Sequence, residues 1–194
     1  TSLTAGSGNN ITLDSAANNF IGAVSVVSGN NVALVDTNAI DLGASTVSGT
    51  LNITAAGAII DSGTLAVTGT TTLAAGSGNN ITLDSAANNF NTVAITSANS
   101  VTLVDTNALD LGASTVSGNL NVTTGGALTD SGTIVVTGTT SLTTGSGNNI
   151  TLDSSANNFV GAVSIVSGNN VTLVDTNALD LGASTVSGNL SITT

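Results

Sequence analysis

TTLAAGSGNNITLDSAANNF, residues 71–90, decides how the whole chain is read. It stands at 1–20 as TSLTAGSGNNITLDSAANNF and at 140–159 as TSLTTGSGNNITLDSSANNF. A second block, DTNALDLGASTVSGNL, occurs at 105–120 and 175–190, and nearly unchanged at 36–51. Self-similarity at a fixed period marks a repeat architecture. The period is 70 residues, with one residue lost after Phe90, so the copies run about 1–70, 71–139 and 140–194, the last one partial. The chain is expected to be a single continuous unit over residues 1–194.

Within a copy, apolar residues alternate over short stretches: Val32 and Leu34, Ile40 and Leu42, Leu51 and Ile53, Ile81 and Leu83. Alternation of this kind marks strands with one buried face. Each stretch is closed by SG, GS, NN, GG or TG, residues that favour turns, and none shows helical periodicity. An apolar strand followed by Asp recurs at Asp14, Asp36, Asp61, Asp84, Asp105, Asp130, Asp153 and Asp175, with spacings of 22, 25, 23, 21, 25, 23 and 22. Taken as one coil per spacing, this predicts about three coils per 70-residue repeat, each of three short strands, and a roughly triangular section. The fold class expected is all-β, a parallel β-helix or β-solenoid. Its hand is expected to be right-handed, because parallel crossovers are. Eight such coils at about 4.8 Å make a rod of about 40 Å, each coil completing the core of its neighbours.

Composition narrows the function. The chain has no Lys, Arg, His, Cys, Pro, Met, Trp, Tyr or Glu, and its eleven acidic residues are all Asp, for a formal charge of −11. High charge with few aromatics can signal disorder, but 40% of residues are apolar, enough for a core. Absence of Pro leaves the backbone ladders intact. Nucleic acid is not an expected partner, because nothing would neutralise phosphates. No apolar run approaches the ~18 residues of a membrane helix, so no membrane insertion is expected. The chain starts without Met, shows no signal peptide, and begins and ends inside a repeat, which reads as an excerpt of something longer. Catalysis is not expected: no His, Lys, Cys or Tyr stands ready to activate the many Ser and Thr hydroxyls. A glycosidase needs one defined pair of carboxylates, whereas the Asp residues recur in repeated turns.

The Asp series is the one candidate for chemistry. Aligned turns would set carboxylates in a column, repelling by roughly 1 kcal/mol per neighbour in water at ~4.8 Å. The expected offset is a structural turn ladder, each of the eight Asp accepting backbone N–H groups of its own turn. Calcium is the alternative, at Asp36 with Asp41, Asp105 with Asp110, and Asp175 with Asp180, since carboxylates are calcium ligands. No calcium-binding loop motif accompanies them, and no other cofactor is expected. Paired Asn residues at 9–10, 30–31, 79–80, 148–149 and 169–170 are expected to form internal ladders. Asn-x-Thr sequons begin at Asn10, Asn52, Asn80, Asn121, Asn149 and Asn170, and a β-helix is expected to bury many of these side chains. Phe20, Phe90 and Phe159, one per copy, are expected as core fillers at a wide coil. The Thr clusters TGTTTL and TGTTSL are too sparse for an ice-binding face.

NNITLDSAANNF, GNNVALVDTNAIDLGASTVSG and DSGTLAVTGTTTL resemble repeats of large secreted bacterial surface proteins, the filamentous-haemagglutinin-like class and giant autotransporter-type adhesins. The resemblance spans the chain. It implies a right-handed β-helix, export through an outer-membrane partner, and an adhesive or stalk role on the extracellular bacterial cell surface. A host or abiotic surface would then be met by parts outside this segment. Near-identical copies suggest a uniform spacer more than a diversified binding surface. The function expected is a non-catalytic shaft of an adhesin. The alternative is a self-associating filament or surface-layer component built by stacking or lateral packing of solenoids.

Overall fold

In the computed structural model, which describes residues 1–194, the short alternating stretches are strands and no helix occurs. Ile81–Leu83 shows the rule: Ile81 and Leu83 are buried and Thr82 is half-buried between them. Every strand pairs in parallel with residues 18 to 24 positions away, so each turn of chain lies on the turn before it. Ten strands follow one another along a single stacking path, making a β-solenoid of ten levels. At about 4.8 Å per level the rod is about 45 Å long. Inner columns run along it: Leu13, Leu34, Ile53, Leu73 and Ile95 lie one above another. The interior is one continuous cluster of 39 buried residues.

A turn consists of two halves. One is a single straight strand, such as Val32–Asp36; the other is a pair of short strands meeting at a bend, such as Ile40–Leu42 with Ser45–Val47. The middle copy runs straight (71–76), bent (81–90), straight (92–98), straight (Val101–Asp105), bent (109–116), straight (Leu120–Thr124) and bent (128–136), before Thr140–Thr143 begins the next copy. These are seven half-turns, so one copy makes three and a half turns. An odd number of halves sends successive copies to opposite sides of the rod. Val32–Asp36 belongs to the 14-stranded sheet, whereas its counterpart Val101–Asp105 belongs to the 7-stranded one.

This corrects the expected three coils per repeat and eight coils in all. The 25-residue intervals from Asp36 to Asp61 and from Asp105 to Asp130 each hold one and a half turns, and the shorter intervals hold one. Three strands per turn hold wherever a straight half faces a bent one. Where two straight halves follow each other, at 92–105, the pattern changes sides. Phe90 and Phe159 are each 1% exposed and are the largest fully buried side chains. They fill the bent halves on opposite sides, pairing with Val67 and Val136.

Turn chemistry follows the residues. Gly6, Gly76 and Gly145 are the residues with positive φ, at 87°, 81° and 77°, the left-handed region open to glycine. Asn9, Asn79 and Asn148 close these turns with Nδ2 donating to the carbonyls of Ala5, Ala75 and Thr144.

One position of the repeat is mismatched with the core, in two copies, at Thr71 and Thr140. Thr140 stands between Leu120 and Val163 in an inner column, 1% exposed, and its Oγ1 has no hydrogen-bond partner. A buried hydroxyl without a partner costs about 1–3 kcal/mol. Thr140→Val keeps the shape and removes that cost, so it is expected to raise stability by about 1 kcal/mol, seen as a higher urea midpoint at unchanged slope. A midpoint that stays or falls refutes this account of the site.

Candidate functional site

The Asp residues do not form one column. The half-turn phase divides them among the two sides: Asp14 and Asp36 on one, Asp61, Asp84 and Asp105 on the other, then Asp130, Asp153 and Asp175 back on the first. Within each set of three the residues differ in place and in role.

The middle member opens the wide loop of a bent half-turn. Asp84 and Asp153 are exposed, and their backbone N–H groups donate to the carboxylates one turn earlier, Asp61 at 3.0 Å and Asp130 at 2.9 Å. The earlier carboxylate also takes the N–H of Ser85 or Ser154, both at 3.3 Å, and the Nδ2 of Asn88 or Asn157, both at 2.6 Å. Asn88 and Asn157 are fully buried, and each Oδ1 accepts the N–H of a strand one turn earlier, Leu65 or Ile134, at 2.8 Å. The wide loop is thus clamped from below.

The third member clamps it from above. Asp105 Oδ1 accepts the N–H of Phe90 at 2.6 Å and its Oδ2 that of Asn107 at 3.0 Å. Asp175 accepts the N–H of Phe159 at 3.1 Å, and Asp36 accepts those of Phe20 at 3.2 Å and Asn38 at 3.1 Å. All three are 2% exposed. Burial pushes the Asp105 carboxyl above the usual carboxylate range, and the N–H groups of Phe90 and Asn107 pull it back in part. A folded-state value above the unfolded one means that this carboxylate opposes folding at neutral pH. The opposition is relieved as the pH falls through the raised value.

The second Asp of each pair considered for calcium lies on the next half-turn. Asp110 accepts Thr129 Oγ1 at 3.2 Å and Ser131 Oγ at 2.5 Å. In the first copy Ile60 takes the place of Thr129, and Asp41 Oδ1 is buried without a partner. Asp180 is exposed. The carboxylate oxygens of Asp36 and Asp105 are engaged by N–H donors, and no three acidic side chains gather into a cluster.

The second Asn of each doublet makes an axial ladder, on an exposed corner rather than inside. Asn10 Oδ1 accepts Asn31 N–H at 3.1 Å and Asn31 Oδ1 accepts Thr50 N–H at 3.0 Å. Asn149, Asn170 and Asn189 repeat the pattern at 3.1 and 3.0 Å. The six sequon residues Asn10, Asn52, Asn80, Asn121, Asn149 and Asn170 are all exposed, against the expectation that many would be buried. They begin half-turns or point outward from straight strands.

Asn88 and Asn157 are the residues that reading the sequence missed. The recurrent NNF triplet was their signal, and the first Asn of it bridges two turns. A family model described as repeats of unknown function (DUF5649) matches residues 1–27, 29–97, 98–166 and 168–194. No curated protein and no solved structure matches the chain.

Proposed function

The chain belongs to this family of repeats of unknown function, and from that premise and the geometry above we propose that it is the structural, non-catalytic shaft of a secreted bacterial surface adhesin. The observation that carries the reading is how the repeated Asp and Asn side chains are used. The buried and half-buried Asp residues 36, 61, 105, 130 and 175 accept N–H groups that hold turns together, and the Asn doublets tie one turn to the next. A rod built so regularly converts copy number into reach. Each added copy contributes three and a half levels, about 17 Å.

The alternative, a filament formed by lateral packing, draws on exposed apolar side chains. Ile21 and Val27 are 96% and 57% exposed, and their counterparts Val160 and Val166 are 62% and 54% exposed. The first and third copies are seven turns apart, so these residues recur on the same sides of the rod.

Two measurements test the shaft. Small-angle scattering of chains carrying one and two further copies should give monomeric rods lengthening by about 17 Å per copy. Antibodies against this segment should label intact source cells. Filaments that grow with concentration, or labelling only after permeabilisation, overturn the reading.

A further inference from the structure

The rod has one groove, of about 460 Å³, and it lies where the repeat is broken. Three bent half-turns stack on one side, ending in the short strands 45–47, 65–67 and 89–90. The next level on that side is the straight strand Val101–Asp105, followed by an early turn at 106–108. A step is left above Phe90. Its walls carry Ala66, Thr68, Asn89, Asn91, Asn107 and Ala108.

The same place recurs on the opposite side one copy later, and no groove forms there. Val135 stands for Ala66 and Val160 for Asn91. Asn177 Nδ2 donates to Asn158 Oδ1 at 3.1 Å, joining the two walls. At the groove the corresponding amides, Asn107 and Asn89, are exposed and their side chains make no hydrogen bond within the chain. The difference accompanies the residue missing after Phe90: the link to the next strand is Asn91-Thr92-Val93, against Val160-Gly161-Ala162-Val163.

We propose that this groove is a binding site for a neutral carbohydrate, a short stretch of uncharged glycan. The three Asn amides donate and accept, as the hydroxyls of a sugar do. Thr46 and Thr68 add hydroxyls at the rim, and the methyl groups of Ala66 and Ala108 meet the C–H face of a ring. A few placed polar groups over an apolar floor is the usual make-up of a small-molecule site. The chain's charge of −11, with no cationic side chain, disfavours anionic ligands. A bare hydrocarbon would leave the amides unpaired. Asp105 sets the spacing of the walls, since its carboxylate holds the N–H groups of both Phe90 and Asn107.

The test is calorimetric titration of the full chain with cellotetraose, maltotetraose, mannotetraose and chitotetraose, and with a heparin-derived tetrasaccharide as the anionic control. The decisive variant is Ala66→Val with Asn91→Val, which installs the residues of the counterpart that has no groove. Both are already tolerated at that position of the repeat, so the variant should fold with an unchanged melting temperature. Asn89→Ala with Asn107→Ala removes the amides without filling the space. We expect at least one neutral oligosaccharide to bind at millimolar concentration or below. We expect that affinity to fall at least about tenfold in each double variant. No binding by any neutral probe, binding undiminished in the filled variant, or preference for the anionic control would each overturn the proposal.

Discussion

Gly132→Ala is expected to lower stability by about 3 kcal/mol or more, because overpacking against backbone has no cheap relief. A β-carbon at Gly132 would overlap the backbone nitrogen of Ala113 in the preceding turn, and it would lie 2.7 Å from that residue's Cα and 2.8 Å from the carbonyl carbon of Gly112. No flexible side chain can move aside. The turns would have to part at the bend, stretching the backbone ladder on both sides of it. Gly63 meets Ala44 in the same way in the first copy. Gly147→Ala is the control: a β-carbon there has nothing within 4 Å, and its effect should stay within about 0.5 kcal/mol. Urea unfolding of the two variants side by side decides the matter. Equal midpoints would mean that close approach of the backbones does not set this position. Because each turn contacts only its neighbours, hydrogen exchange in Gly132→Ala should rise first at 109–116 and 128–136.

Asp130→Ala should cost about 3 kcal/mol, through donors left without partners rather than through charge. Three donors lose their acceptor: the N–H groups of Asp153 and Ser154 and the amide of Asn157. Asn157 is fully buried and itself holds the N–H of Ile134, so the loss reaches two turns. Asp153→Ala removes a carboxylate that is exposed and lies one level away, and it should be nearly neutral. Faster amide exchange at Asp153, Ser154 and Ile134 in Asp130→Ala, with the rest of the rod protected, is the expected signature. If Asp153→Ala costs as much as Asp130→Ala, the stabilisation lies in something the two carboxylates share, and the clamp is wrong.

These two residues also show how far the sequence could be read. Asp130 and Asp153 look alike in it, each closing an apolar strand and each followed by Ser. Their recurrence marks a turn, but which one accepts and which one only donates depends on which turn lies above. Gly132 looks like any turn glycine until Ala113 is brought beneath it. Several features needed no tertiary structure: the all-β class, the parallel stacking, the alternation that puts Ile81 and Leu83 inside, and Phe90 and Phe159 as core. Each is local, set by side-chain period, turn chemistry or apolar volume. The number of turns needed more. The Asp spacings of 22 and 25 residues differ by only three, yet one holds a full turn and the other a turn and a half. Residue count does not reveal whether a half-turn is straight or bent. Only the pairing of strands does, by bringing Val101 over Ile81 and Val32 over Ile11.

From that phase follow the features the sequence by itself left open. Successive copies face opposite sides, the carboxylates work in threes, the Asn doublets surface at a corner, and a step stays open above Phe90. The sequence by itself determined what each strand and turn is, because those are decisions of neighbouring residues. The tertiary structure decided what lies above and below each of them, because stacking a turn onto its neighbour brings together residues about twenty positions apart, and no local rule carries that register.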